Sequence, residues 1–267
     1  MKYKSRKGYS MVFYIVYRAS KEHKNRGLIP KRLETLGCKR ICNSFWEVNE
    51  RKIDEALKVV SGNQPILLKR TRDIRKPEYD GEGNLVDFGS LIIVTYNTDR
   101  DESGRIRGLL AKTPYIRLCR SVYAFSQNDN LYSNKRGKIV NMNQLFTLIK
   151  ENDESSKILP RMIIMNGAEA TEILIERVKL RVANKAEKIL DGYKNLIQTI
   201  FDGEIEKRRL IEEEKKLYSE FASLRRIAIF YERWLRVDFA KDMMRVYSAI
   251  RKLQTSKSEY NPFKQRN

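Results

Sequence analysis

Two strand-like motifs each occur twice in this chain, at nearly the same separation. Ile15-Val16-Tyr17-Arg18 is matched by Val94-Thr95-Tyr96-Asn97, 79 positions later. Arg40-Ile41-Cys42-Asn43-Ser44-Phe45-Trp46 is matched by Arg117-Leu118-Cys119-Arg120-Ser121-Val122-Tyr123, 77 positions later. Repetition confines the fold, because both copies must adopt the same unit and each can cover the other's apolar face.

The first copy alternates strand and helix. Met11–Arg18 has the apolar density of a buried strand. Leu28, Ile29, Leu33 and Leu36 carry helical spacing over Glu22–Leu36, with Gly37 as the stop. Arg40–Val48 alternates as a strand, Ile53, Leu57 and Val60 give a helix over Glu50–Val60, and Pro65–Arg70 is a strand. No fourth strand stands out. The second copy runs Leu91–Asn97, Glu102–Lys112, Ile116–Phe125, Asn143–Lys150 and Ile158–Met165, with a polar insert at about Asn128–Lys138 expected as an exposed loop. The turn-rich stretch 77–89 reads as a linker.

From Ala168 to Thr255 the chain lacks proline and carries helical stripes. Ile175, Val178, Val182, Ala186, Ile189, Tyr193, Leu196 and Ile200 make the first. Leu210, Leu217, Leu224 and Tyr231 repeat every seventh residue, with Phe221, Ala228 and Leu235 between them. Their register fails at Asp238 and Asp242. An antiparallel helical hairpin over 168–255 is expected, with a break near Val237–Asp238 and a loose tail over 256–267.

Charge narrows the partners. The 267 residues hold 54 Lys and Arg against 34 Asp and Glu, a net of +20, and every third of the chain is basic. Such a field attracts polyanions, and phosphate neutralisation is its commonest use. No apolar run approaches the roughly 20 residues of a membrane span. Cys38, Cys42 and Cys119 form no zinc-ligand spacing and no disulfide framework, and no leader pattern opens the chain, so a cytoplasmic setting is expected.

Tyr17, Arg26, Gly37, Arg40, Ser44, Phe45, Trp46 and Glu47 in the first copy, with Tyr96, Arg105, Arg117, Ser121 and Tyr123 in the second, carry a resemblance. Over about residues 1–167 the chain resembles the CRISPR-associated Cas-two family, whose module also recurs in PaaX-type transcriptional repressors. The resemblance implies an α+β fold of two tandem ferredoxin-like (βαββαβ-type) modules, at 1–76 and 90–167, ahead of the helical hairpin. It also implies a nucleic-acid setting.

Nucleases of that family hold a divalent metal with an acid at the end of the first strand, paired across a dimer. Here the matching positions are Arg18 and Asn97. Arg is no ligand for a hard cation, and Asn offers one neutral oxygen. Asn97, Asp99 and Asp101 alternate, so an extended segment would point three oxygens one way, toward Mg²⁺ or Mn²⁺. The competing reading of the same residues is a loop in which Asp101 and Ser103 cap the next helix.

No Gly-rich phosphate loop occurs, and the single His23 gives Ser44 and Ser121 no activating partner. The function expected is therefore non-catalytic nucleic-acid binding without a cofactor, as a regulator or architectural adaptor. Phosphate contacts are expected from Arg18, Lys24, Arg26, Lys39, Arg40, Arg105, Arg107 and Arg117. Further basic side chains lie in the arm Lys2–Tyr9 and at Lys69, Arg70, Arg72, Arg75 and Lys76. An extended basic surface suits a duplex better than a pocket does, and duplex DNA is slightly favoured over RNA. The C-terminal helices offer a homodimer contact or a docking site for a protein partner.

Overall fold

In a computed structural model, residues 11–18, 27–97, 99, 101, 103–134, 137–138, 142–203 and 206–259 are described. The basic arm, His23, Lys24 and Arg26 lie outside them. The chain divides into two compact units. The first comprises 1–110, 115–130 and 141–174; the second comprises 111–114, 131–140 and 175–267.

In the first unit, the first copy runs β1 (Phe13–Val16), α1 (Leu28–Thr35), β2 (Lys39–Cys42), β3 (Phe45–Val48), α2 (Ile53–Val60) and β4 (Ile66–Arg70). The strand expected over Arg40–Val48 is thus a hairpin, turned at Asn43-Ser44, which supplies the missing fourth strand. Between the copies, β5 (Glu78–Tyr79) and β6 (Leu85–Asp87) form a small hairpin. There the Asp80 carboxylate accepts from the Glu82 and Asn84 backbone N–H groups.

The second copy repeats the order as β7 (Leu91–Thr95), α3 (Arg105–Ala111), β8 (Ile116–Cys119), β9 (Val122–Ser126), α5 (Met142–Asn152) and β12 (Lys157–Ile164). Its polar insert is not a plain loop. It contains α4 (Asp129–Tyr132) and the short strands β10 (Ser133–Asn134) and β11 (Gly137–Lys138).

One eight-stranded antiparallel sheet runs β2-β3-β1-β4-β12-β7-β9-β8. The last strand of each copy forms the seam, with Leu68, Lys69 and Arg70 facing Ile164, Ile163 and Met162. β12 serves two neighbours by bending between Leu159 and Met162. Pro160 has no N–H to donate there, and Arg161 adopts a left-handed φ of 60°. Gln127 Oε1 accepts the Arg161 N–H at 2.7 Å, and the Arg161 carbonyl accepts from Thr71 N at 2.8 Å, so the bend is held from both sides.

Both faces of this sheet are buried. Phe13, Ile15, Tyr17, Trp46 and Val48 pack with Ile29, Leu33, Ala56 and Val60 beneath the first pair of helices. Val94, Tyr96, Tyr123 and Phe125 pack with Ile106, Leu110, Leu145 and Ile149 in the second copy. The alternating residues Tyr14, Val16, Phe45, Leu68, Leu91, Ile93, Val122 and Ala124 are buried as well. The Tyr14 and Phe45 rings meet at 5.4 Å on this second face.

The second unit holds α6 (Gly167–Phe201, which starts in the first unit), α7 (Lys207–Leu235) and α8 (Ala240–Glu259). Three antiparallel helices therefore replace the expected hairpin. Arg236 stops α7 with a left-handed φ of 56°, and Asp238 Oδ1 accepts from Ala240 N at 2.7 Å to start α8. The tail is shorter than expected, because α8 runs to Glu259 and Lys257 pairs with Glu214 at 2.6 Å. The expected stripes face inward, Val178, Val182, Ala186, Leu217, Leu224 and Tyr231 all being buried. Tyr132, also buried, stacks on Phe230 at 4.7 Å, and Phe230 meets Trp234 at 5.7 Å. Arg181 donates to Tyr231 Oη and to the Thr113 carbonyl. No helix among the described residues is long and apolar enough to cross a membrane.

Gly89 lies against the backbone of 75–77. It has a φ of 70°, and an added Cβ would lie 2.7 Å from both Lys76 C and Pro77 N. Gly89→Ala should cost about 2–4 kcal/mol in urea denaturation. Gly81→Ala, which meets nothing within 4 Å, should stay within about 0.5 kcal/mol of the parent.

Candidate nucleic-acid interface

The sheet's two outermost hairpins match residue for residue. In β2–β3, Arg40 faces Trp46 and Cys42 faces Phe45, with a bulge between them. In β8–β9, Arg117 faces Tyr123 and Cys119 faces Val122, with the same bulge. Each turn is tied to the end of its neighbouring strand. Tyr17 N donates to the Ser44 carbonyl at 3.1 Å, and Tyr96 N donates to the Ser121 carbonyl at 2.9 Å.

This register lays one guanidinium over one ring in each copy. Arg40 lies 5.8 Å from the Trp46 ring centre and Arg117 lies 5.9 Å from that of Tyr123. Arg40 also donates to Asn43 Oδ1 at 2.5 Å, and Arg117 to the Arg120 carbonyl at 2.7 Å. Ring and turn together hold each exposed guanidinium in place, at a cation–π gain of about 0.5–1 kcal/mol.

β2 and β8 stand at opposite ends of the strand order. Lys39 and Arg40 of one copy and Arg117 and Arg120 of the other are all exposed.

The remaining expected contacts are distributed differently. Arg18 is exposed just past β1, its backbone N–H donating to the Asn63 carbonyl at 2.9 Å. Arg105 is exposed in the first turn of α3. Arg107 is committed elsewhere, donating to the Asp101 carbonyl at 3.0 Å and lying 3.6 Å from its carboxylate. At the seam, Arg70, Arg72, Arg75 and Lys76 are exposed, and Arg161 of β12 joins them by donating to the Arg72 carbonyl at 2.9 Å. Arg161 is absent from the sequence expectation; the Pro160-Arg161 pair inside a strand run was the available signal for it.

The alternating acids do not form a ligand set. Asn97 Oδ1 accepts from Asp99 N at 3.1 Å, and Asp99 pairs with Arg120 at 2.9 Å. Asp101 is buried and caps α3, accepting from Arg107 N at 2.6 Å and from Ile106 N at 3.4 Å. Among the described residues no three His, Cys, Asp or Glu side chains gather as a metal site would require. Arg18 stands at the matching place in the first copy. The metal centre that the resemblance implies does not fit these residues.

Asp101→Ala should therefore cost about 1–3 kcal/mol of stability, because the first N–H groups of α3 lose their acceptor. Asp99→Ala, which breaks an exposed pair, should change stability by less than about 1 kcal/mol. Chemical denaturation of the two variants separates a cap from a surface pair. No family model matches the chain, and neither a curated protein nor a solved structure matches it.

Proposed function

We propose that this chain binds nucleic acid without cleaving it, as a regulator or architectural adaptor, through the basic surface of its sheet unit. The reading takes that unit as two tandem ferredoxin-like modules forming a pseudo-dimer within one chain, in line with the resemblance to the Cas-two and PaaX modules. Its main support is the matched pair of outer hairpins, each exposing a guanidinium held over a ring, Arg40 on Trp46 and Arg117 on Tyr123. Two guanidiniums held on rings at equivalent places present paired donors, and paired donors at fixed spacing suit a regular phosphate backbone. The seam residues Arg70, Arg72, Arg75, Lys76 and Arg161 add a second basic patch on the same unit.

Duplex DNA is the favoured ligand, since its charge repeats along an extended axis rather than in a pocket. Contacts of this kind are made to phosphate, so affinity should depend weakly on sequence and steeply on salt.

The test is anisotropy of a labelled duplex of about 30 base pairs titrated at several salt concentrations, with Mn²⁺ present. Binding with a steep salt slope and uncut DNA is expected. Arg40→Ala and Arg117→Ala should each weaken binding alike for unrelated sequences and lower the slope by about one. Failure to bind even at low salt would overturn the reading and leave the helical unit as a protein-docking module. Cleavage lost in Asp99→Ala would instead make the chain a nuclease.

A further inference from the structure

The loop between β4 and β5 presents one apolar side chain among cations. Residues 69–76 read Lys-Arg-Thr-Arg-Asp-Ile-Arg-Lys, five cations and one acid, and the next acid is Glu78. Ile74 is 60% exposed, and Arg70, Arg72, Arg75 and Lys76 around it are exposed too.

This loop is held at both ends. At its start, Thr71 N donates to the Arg161 carbonyl at 2.8 Å, and Thr71 Oγ1 donates to the Asp73 carbonyl at 2.9 Å. The Arg161 guanidinium donates to the Arg72 carbonyl at 2.9 Å. At its end, Arg75 N donates to Ser90 Oγ at 2.8 Å, and Ser90 N donates to the Arg75 carbonyl at 3.0 Å. A single exposed apolar residue is ordinary by itself. Here it is fixed in a cationic loop, and that combination fits one kind of partner.

We propose that Ile74 is a wedge for duplex DNA. Arg70, Arg72, Arg75 and Lys76 seat the loop on the phosphates beside the minor groove, and Ile74 enters between two base pairs and kinks the helix. The inference rests on the nucleic-acid reading and gives it a mechanism. Unstacking a base step is costly, and the cost is offset by burying the apolar side chain and by the further phosphates that a bent duplex brings to basic protein. A loop already ordered by its own hydrogen bonds loses little freedom on binding. β4 and β12, which supply the loop and Arg161, are the fourth and fifth of eight strands, so the wedge springs from the middle of the strand order. A membrane surface is the rival partner for a basic and apolar loop, but binding there scales with buried apolar area, and one isoleucine offers little.

The test uses the full chain and duplexes of about 30 base pairs with a dye at each end, one fully paired and one with central mismatches, where stacking is already weakened. Binding should raise energy transfer between the ends, as a kink of at least about 20° requires. The mismatched duplex should bind at least about threefold tighter, since less unstacking remains to be done. Ile74→Ala, at an exposed site, should keep the parent's thermal melting and salt slope. It should bind the paired duplex about three- to tenfold more weakly and lose both the bend and the mismatch preference. Arg75→Ala should instead lower the salt slope by about one. Parent-like bending in Ile74→Ala, or a parent that binds with a steep salt slope and leaves the duplex straight, would overturn the wedge alone. A parent that binds no duplex at low salt would overturn the nucleic-acid reading together with it. Sedimentation with phosphatidylserine vesicles that depends on Ile74, without bending of DNA, would overturn the wedge and give the loop to a membrane surface.

Discussion

The pairing of β4 with β12 decides most of what the sheet unit is. Only three residue pairs carry it, Leu68, Lys69 and Arg70 against Ile164, Ile163 and Met162. Hydrogen bonds net about 1 kcal/mol each, so so short a ladder is not what stabilises the seam. Its weight is geometric. Joining the last strands of the two copies in antiparallel fashion makes one continuous eight-stranded sheet. The second face of that sheet, with Tyr14, Val16, Phe45, Leu91, Ile93 and Val122, is buried as well. Those side chains contribute about 1.5–3 kcal/mol apiece on burial, which outweighs the ladder that aligns them.

The asymmetry between the copies follows from what was added to the second. Residues 111–114 and 131–140 belong to the helical unit, where Tyr132 stacks on Phe230 and Arg181 reaches the Thr113 carbonyl. The first copy has no such insert. The insert of the second copy thus contributes Tyr132 to the apolar core of the helical unit.

Much of this was legible in the residues, and the failures share a cause. The repeat was readable because Tyr17 and Tyr96, and Arg40 and Arg117, hold places that the backbone register requires. The two outer hairpins were read as single strands because Asn43-Ser44 and Arg120-Ser121 turn the chain without glycine or proline. The break near Val237–Asp238 was readable from the failed heptad register, but not that it opens a third helix, since Arg236 takes the left-handed stop that glycine usually marks. Burial of Cys119 was predictable from its strand. Asp101 showed the opposite case. Alternation with Asn97 and Asp99 offered a ligand set, yet the nearest unsatisfied N–H groups, at the start of α3, claimed its carboxylate.

The bulges in β2 and β8 carry a consequence for the protein in a crowded solution. Each outer strand is only four residues long, is kinked at the bulge, and exposes Lys39 and Arg40 or Arg117 on its rim. An unpaired strand rim is a template on which another chain can add, and short, bent, cationic rims are poor templates. The outward-facing Lys39, Arg40 and Arg117 therefore act as gatekeepers against edge-to-edge aggregation, whatever else they contact.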